Sequence, residues 1–190
     1  MFLLRPAARV RLATPPRVPA VFVMAAVLLL LLAAPARADT RQFTDAVGDM
    51  TSGQQIHPGD IESVTVSHEN RLRVTVRHND LQPDYQVGAS VFIDTDPGRP
   101  GPELVLTGGL FEGTDYYLTK AQDWKSAGEH LTCFHRIALN YAEDTSTFII
   151  GRSCLGDADQ LSIASRVTGP SMEAVDWLKG RRLFTPSVAR

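Results

Sequence analysis

The stretch that decides the fold is RLRVTVRH, residues 71–78, in which apolar and polar side chains alternate. Leu72, Val74 and Val76 occupy even positions, whereas the odd positions hold only Arg or Thr. A period of two is typical of a β-strand that is buried on one face and solvated on the other. The segment therefore predicts a half-buried strand.

The preceding segment, residues 61–67, is predicted to be the partner of this strand. A three-residue loop pairs Val66 with Leu72, whereas a two-residue turn would place Val66 opposite Arg73, on the wrong face. We therefore expect the three-residue loop. Ile61 is out of phase with Val64, which predicts a bulge near Glu62-Ser63.

Further short strands are predicted from the same pattern, with Gly-rich and Pro-rich turns between them. They cover residues 87–94, 103–107, 115–119, 131–139, 147–151 and 161–167. Such spacing predicts an all-β fold, an antiparallel jelly-roll-like β-sandwich in a single domain. One short helix is predicted near the C-terminus over residues 171–179, with Met172, Val175 and Leu178 on one side.

The first 38 residues have the tripartite pattern of a secretory signal peptide. They contain five Arg and no acid, an apolar run from Val21 to Ala34, and the small-x-small site Ala36-Arg37-Ala38. The run is shorter than the roughly 20 residues that a membrane-spanning helix needs. We expect cleavage after Ala38 and a secreted, extracellular domain, residues 39–190, without membrane insertion. An uncleaved anchor is the alternative.

Removal of the signal peptide makes the chain acidic. The whole chain has 19 basic and 21 acidic residues, so loss of five Arg leaves 14 against 21 and a net charge of −7 with His neutral. Nucleic acids and anionic lipids call for a basic surface, so neither is an expected partner. The charge is compatible with bound cations.

The two cysteines, Cys133 and Cys154, both belong to the exported part. In an oxidising compartment an isolated pair is expected to form a structural disulfide. Two free thiols or half of a metal site are the alternatives, and no Cys-x-x-Cys or paired His spacing favours the latter.

Acidic residues recur where strands begin and end: DAVGD at residues 45–49, Asp60, and DTD at residues 94–96. Calcium needs six to eight oxygen ligands, which loops at one rim of a sandwich can supply. Asp and Gly are also the usual residues of turns, because Asp bonds its own local backbone. The spacing leaves both interpretations open. The sequence contains no twelve-residue EF-hand loop.

The order of these acids and strands resembles the DOMON-like and family 9 carbohydrate-binding β-sandwiches. Still closer are small exported actinobacterial domains of unknown function built on the same plan. The resemblance covers residues 39–109 and rests on Asp45-x3-Asp49, on Asp60 before an alternating strand, and on VFIDTD at residues 91–96. It implies a jelly-roll-like sandwich with calcium near the strand ends, and it makes Asp45, Asp49, Asp60, Asp94 and Asp96 the candidate calcium ligands.

Aromatic residues in polar surroundings are the candidate ligand-binding residues. Sugar-binding sandwiches stack an aromatic ring against the apolar face of a sugar, so Trp124 is the first candidate, followed by Tyr116 and Tyr117. The alternative is a ring that caps an edge of the core. Trp177, between apolar neighbours, is predicted to be a core residue.

No catalytic motif has the spacing that its chemistry requires. Gly-x-Ser-x-Gly is absent, and the five histidines, predicted to lie at the surface or at strand edges, show no zinc-ligand spacing. We expect an exported, non-catalytic binding or interaction module, calcium-stabilised, with a glycan or an envelope protein as its ligand. The alternatives are an accessory domain without a small ligand and a hydrolase whose paired carboxylates are invisible in the sequence.

Overall fold

The computed structural model describes residues 39–52, 55–170 and 172–190, and the predicted signal peptide lies outside them. The described chain is nearly all β. Its one helical element is a 3-10 turn, Arg152–Cys154. The strands are β1 (Thr40–Thr44), β2 (Thr51–Ser52), β3 (Gln55–Ile56), β4 (Ile61–His68), β5 (Arg71–His78), β6 (Gly88–Asp94), β7 (Leu104–Gly109), β8 (Tyr116–Gln122), β9 (Lys125–Ala127), β10 (His135–Asn140), β11 (Thr145–Gly151), β12 (Gln160–Thr168), β13 (Val175–Trp177) and β14 (Val188–Ala189).

Two antiparallel sheets pack against each other, which confirms the predicted all-β sandwich. The five-stranded sheet has the order β1-β4-β5-β11-β10, and the seven-stranded sheet has the order β13-β12-β6-β7-β8-β9, with β14 also paired to β12. The chain passes from one sheet to the other between β5 and β6, between β9 and β10, and between β11 and β12. Residues far apart in sequence therefore meet at the rims.

The main core fills the space between the two sheets. Val66, Val74 and Phe148 reach it from the five-stranded sheet, and Leu106 and Ile163 reach it from the seven-stranded sheet, all of them fully buried. Fully burying a side chain of this kind contributes about 1.5–3 kcal/mol. The alternation seen in the sequence is thus the pattern of side chains that point into this core.

The seven-stranded sheet carries a second, smaller apolar cluster on its other face. Phe92 follows Val91 and precedes Ile93, which both point into the main core, so alternation directs Phe92 outward. Phe92 is nevertheless only 1% exposed. Its cluster contains Val105 and Ala164, with Ala121, Trp124, Trp177 and Phe184 packed against it.

The β4–β5 hairpin has the predicted faces but a different register. Val66 pairs with Val74, and His68 pairs with Leu72, so the predicted Val66–Leu72 pair is wrong by two residues. Because side chains alternate with a period of two, a shift of two keeps every valine on its face. The structure confirms the predicted bulge, as the register shifts between Ile61 and Ser63.

The predicted helix over residues 171–179 is wrong, because this segment contains β13. Val175–Trp177 pairs with Arg166–Thr168 at the edge of β12. Met172 and Val175 are exposed, so the expected apolar helical face does not exist. Pairing with a free sheet edge has overridden the local pattern here, as tertiary context commonly does.

The predicted disulfide between Cys133 and Cys154 is confirmed. Cys133 precedes β10, and Cys154 ends the 3-10 turn that follows β11. The bond therefore joins the two open ends of the β10–β11 hairpin, with Cα atoms 5.7 Å apart.

Among the residues that the structure describes, none forms a helix with the length and apolar character needed to span a membrane.

Candidate functional site

Three carboxylates meet where the rims of the two sheets approach each other. Asp49 follows β1, Asp60 immediately precedes β4, and Asp176 is the middle residue of β13. One carboxylate oxygen from each lies within 4.8 Å of the others. We call Asp49, Asp60 and Asp176 the acid cluster.

Asp60 organises the loop that carries Asp49. Its Oδ2 accepts a hydrogen bond from the backbone N–H of Gly48 at 2.7 Å, and its Oδ1 accepts one from Met50 at 2.8 Å. The side chain is fully buried. These bonds fix the loop on both sides of Asp49 and hold its carboxylate beside that of Asp60.

Asp176 enters the acid cluster from the opposite sheet and is only 2% exposed. Burial raises the pKa of its carboxyl to about 7, and the negative charges of Asp49, Asp45 and Asp60 act in the same direction. The hydrogen bond donated by the backbone N–H of Ile61 opposes this rise. The protein thus holds a carboxyl whose ionised form it disfavours near neutral pH.

Asp45 lies beside the acid cluster. Its Oδ1 accepts a hydrogen bond from the backbone N–H of Lys179 at 2.9 Å. Its Oδ2 is buried and has no hydrogen-bond partner among the described residues. Burial raises the pKa of this carboxyl too, and Asp49 and Asp60 add to the rise.

Asp94 and Asp96 lie elsewhere. In β12, Val167 pairs with Asp176 of β13 on one side and with Ala89 of β6 on the other. The acid cluster therefore lies at the Gly88 end of β6, whereas Asp94 is at the opposite end of that strand. Six residues of strand span about 20 Å. Asp94 Oδ1 accepts from the N–H of Asp96, and Asp96 Oδ1 accepts from Gly98, so both carboxylates shape their own turn.

The structure therefore brings together Asp45, Asp49 and Asp60 of the five candidate calcium ligands and separates Asp94 and Asp96 from them. It adds Asp176, which the sequence does not reveal because the apolar spacing of residues 171–179 predicts a helix. The alternation of Val175, Asp176 and Trp177 was the available signal. A three-residue strand is too short for that signal to be decisive.

A pocket of about 520 Å³ opens beside the acid cluster on the outer face of the seven-stranded sheet. Aromatic and charged side chains line most of it: Asp49, Trp124, Arg166, Asp176, Trp177, Arg181 and Arg182. We call it the aromatic pocket. Asp49 and Asp176 of the acid cluster are among its lining residues.

The tryptophans of the aromatic pocket are held by the second apolar cluster. Trp177 stacks on Phe92, with ring centroids 5.6 Å apart and an interplanar angle of 17°. Trp124 lies edge-on to Trp177 at 5.7 Å and packs on Phe184 at 4.8 Å. Each ring is only partly buried, so Trp124 both caps this apolar cluster and lines the pocket.

The backbone at Trp124 adopts a conformation that side chains rarely take. Asp123 and Trp124 form the two-residue turn between β8 and β9, with φ angles of 51° and 62°. Glycine or asparagine usually occupies such positions, because a Cβ costs roughly 1–2 kcal/mol there. Packing of the indole on Phe92 and Phe184 offsets this cost. Backbone strain of this kind concentrates at ligand sites.

Tyr116 and Tyr117, the other candidate ligand-binding residues, do not line the aromatic pocket. Tyr117 stacks on His130 at 4.6 Å with an interplanar angle of 8°. Tyr116 lies edge-on to His135 and lines a separate cavity of about 230 Å³. Both residues are at the start of β8, and Trp124 follows its end.

Three histidines that were predicted to lie at the surface or at strand edges are buried: His57, His68 and His78. His78 lies between the backbone oxygen of Gly59, at 3.0 Å, and the hydroxyl of Ser146, at 2.8 Å. Burial lowers its pKa to about 4. A buried, neutral imidazole with both nitrogens hydrogen-bonded has a structural role. Among the described residues, the acid cluster contains no histidine.

No protein-family model matches this chain, and no curated protein is significantly similar to it.

Proposed function

We propose that the mature domain is an exported, non-catalytic binding module that takes a glycan, free or on an envelope protein, into the aromatic pocket. The observation that carries this proposal is the position of Trp124 and Trp177 in the wall of a pocket of about 520 Å³. Ligand sites are concave, with aromatic walls and a few polar groups that fix orientation. Charged residues that can bond hydroxyls line the same pocket.

Export is part of the proposal and has two independent supports. The sequence has the pattern of a secretory signal peptide before residue 39. The domain contains a disulfide, a bond typical of oxidising compartments outside the cytosol. An extracellular module would meet glycans and envelope proteins directly.

Calcium stabilisation is the second part of the proposal. The acid cluster offers only oxygen donors, which hard cations such as calcium prefer. Asp45 adds a carboxylate oxygen that has no hydrogen-bond partner among the described residues. Burial and the repulsion by neighbouring carboxylates raise the pKa of Asp176, and a divalent cation beside Asp49, Asp60 and Asp176 would offset both effects. Backbone oxygens and water would have to complete its coordination.

A glycan array with the native domain and with Trp124→Gly tests the binding function. Glycine suits the left-handed backbone at this position, where φ is 62°, so the substitution removes the indole and keeps the turn. Phe134→Ala is the matched control, because Phe134 is a 47% exposed aromatic residue that does not line the pocket. We expect bound glycans to be lost with Trp124→Gly and kept with Phe134→Ala. Binding that ignores Trp124→Gly would contradict the assignment of the pocket.

A further inference from the structure

Arg166 is a partly buried cation without an anionic partner. It lies on β12 with its guanidinium carbon 5.3 Å from the ring centroid of Phe92 and 5.6 Å from that of Trp177. Its Nη2 donates to the hydroxyl of Ser90 at 3.1 Å, and its buried Nε has no acceptor among the described residues. None of the salt bridges in this part of the chain involves Arg166. Burying a cation without a counter-charge is costly.

The charged neighbour that acts on Arg166 is a second cation. Burial lowers the pKa of the Arg166 guanidinium, and the positive charge of Arg182 lowers it further. Both arginines line the aromatic pocket, together with Arg181. Asp49 and Asp176 line the same pocket but belong to the acid cluster, where they face each other and Asp60. An anion beside Arg166 and Arg182 would turn this repulsion into attraction.

The pocket continues into a second cavity of about 470 Å³ that shares Trp124 and Arg182 with it. This cavity adds Arg99 and two acids, Glu103 and Asp123. Glu103 is already engaged, because its Oε2 accepts a hydrogen bond from the N–H of Thr95 at 2.8 Å. Two adjoining cavities suit a chain of several units better than a single small molecule.

The two residues that line both cavities, Trp124 and Arg182, have unusual backbone conformations. Arg182 has a φ of 60° and Trp124 a φ of 62°, which for residues with a Cβ is unfavourable. Each of these residues lies in a turn or loop and lines both cavities. One cation and one indole are therefore shared by the two cavities, which suits a ligand that contacts both.

We propose that the ligand is an anionic saccharide chain whose oxyanion lies between Arg166 and Arg182 while a sugar ring packs against Trp124. This inference rests on the proposed function and names its ligand class. The guanidinium forks of arginine match carboxylate and sulfate geometry, and the indole supplies the apolar contact. The mature chain has a net charge of −7, so its overall field would repel polyanions in general. Only an anionic ligand that fits between the arginines would then be bound.

Binding calorimetry with paired ligands tests this inference. Oligogalacturonate and its fully methyl-esterified form have the same rings and differ in charge, and a sulfated oligosaccharide with its desulfated form tells sulfate from carboxylate. We expect at least tenfold tighter binding of one charged form than of its neutral partner. The affinity should fall as the salt concentration is raised from about 0.05 to about 0.5 M, because salt screens the attraction between exposed charges.

Arg182→Gln and Arg166→Lys are the informative variants, and Arg73→Gln is the matched control on the exposed face of β5. Arg182 is exposed, so its replacement leaves folding intact even if Arg166→Lys disturbs the sheet. We expect each pocket variant to weaken binding of the charged ligand at least tenfold and the control to change it less than twofold.

The outcomes separate this inference from the function on which it rests. Equal binding of charged and neutral forms that is lost in Trp124→Gly would overturn the anionic ligand and leave the glycan-binding function in place. Binding of charged forms that is insensitive to Arg182→Gln and Arg166→Lys would overturn the role of the arginines. No binding of any saccharide, charged or neutral, would overturn both.

Discussion

The Oδ2 atom of Asp176 accepts a hydrogen bond from the backbone N–H of Ile61 at 2.7 Å, across 115 residues of sequence. Asp176 is in β13, at the edge of the seven-stranded sheet, and Ile61 begins β4 of the five-stranded sheet. One carboxylate therefore joins the two layers at the rim where the proposed calcium site lies. A change at this carboxylate should affect both the stability of the sandwich and its response to cations.

Asp176→Asn should stabilise the calcium-free domain and abolish its response to calcium. The amide oxygen can still accept from Ile61, while the negative charge that burial and Asp49 disfavour is gone. We expect a gain of at least about 1 kcal/mol at pH 8, roughly 3 °C for a domain of this size. Melting with calcium and with EGTA measures both effects.

Asp84→Asn is the control for this experiment, because Asp84 is exposed and lies outside the acid cluster. The control should keep any calcium-induced rise of the melting point. For the native domain, calcium at a hundred times its dissociation constant adds about 2.7 kcal/mol. A native melting point that does not respond to millimolar calcium would remove the proposed metal site.

Calcium should stabilise the native domain more strongly as the pH rises past 7. The folded-state pKa of Asp176 is raised from 3.8 to about 7, so the stability it contributes is fully present below 3.8 and is lost as the pH rises through about 7. A cation binds the ionised carboxylate and restores that loss. The difference in melting point between calcium and EGTA should be larger at pH 8 than at pH 5.5. A difference that is constant over this range contradicts the role of Asp176.

The fold was largely predictable because its core follows the local pattern. Val64, Val66, Val74 and Val76 are all fully buried, as alternation required. Their register was not predictable, because slips of two residues keep the same faces in the core. Loop packing decides between such registers, and in this hairpin it places His68 opposite Leu72 inside the sandwich.

The candidate site was only partly predictable because its residues meet through topology. Asp49 and Asp60 are close in sequence, and one turn brings them together. Asp176 joins them only because β13 pairs with β12 at the near rim, a long-range event that no local pattern encodes. The same pairing brings Trp177 onto Phe92. Trp177, which the sequence predicts to be a core residue, therefore lines the pocket.

His78 should make the domain less stable in mild acid. Burial lowers its folded-state pKa from 6.5 to about 4, although the hydrogen bond to Gly59 and the charges of Asp144 and Asp60 oppose this. The stability from the neutral ring is present above 6.5 and is lost as the pH falls toward 4, on the order of 2 kcal/mol by pH 4.5. Urea unfolding of native protein and of His78→Gln at pH 7 and 4.5 measures it. If His78→Gln loses as much stability between pH 7 and 4.5 as the native protein does, groups other than His78 cause the loss.

The disulfide should stabilise the domain by about 3 kcal/mol, the value expected for closing a loop of this length. Cys133 and Cys154 are 21 residues apart and join the ends of the β10–β11 hairpin, in which β10 is an edge strand of the five-stranded sheet. The double variant Cys133→Ser, Cys154→Ser should unfold at lower urea than the native protein, and a reducing agent should destabilise only the native protein. β10 and β1 are opposite edges of this sheet, and Asp49 follows β1, so the variant should keep its response to calcium. Loss of that response along with the disulfide would mean that the two regions are coupled.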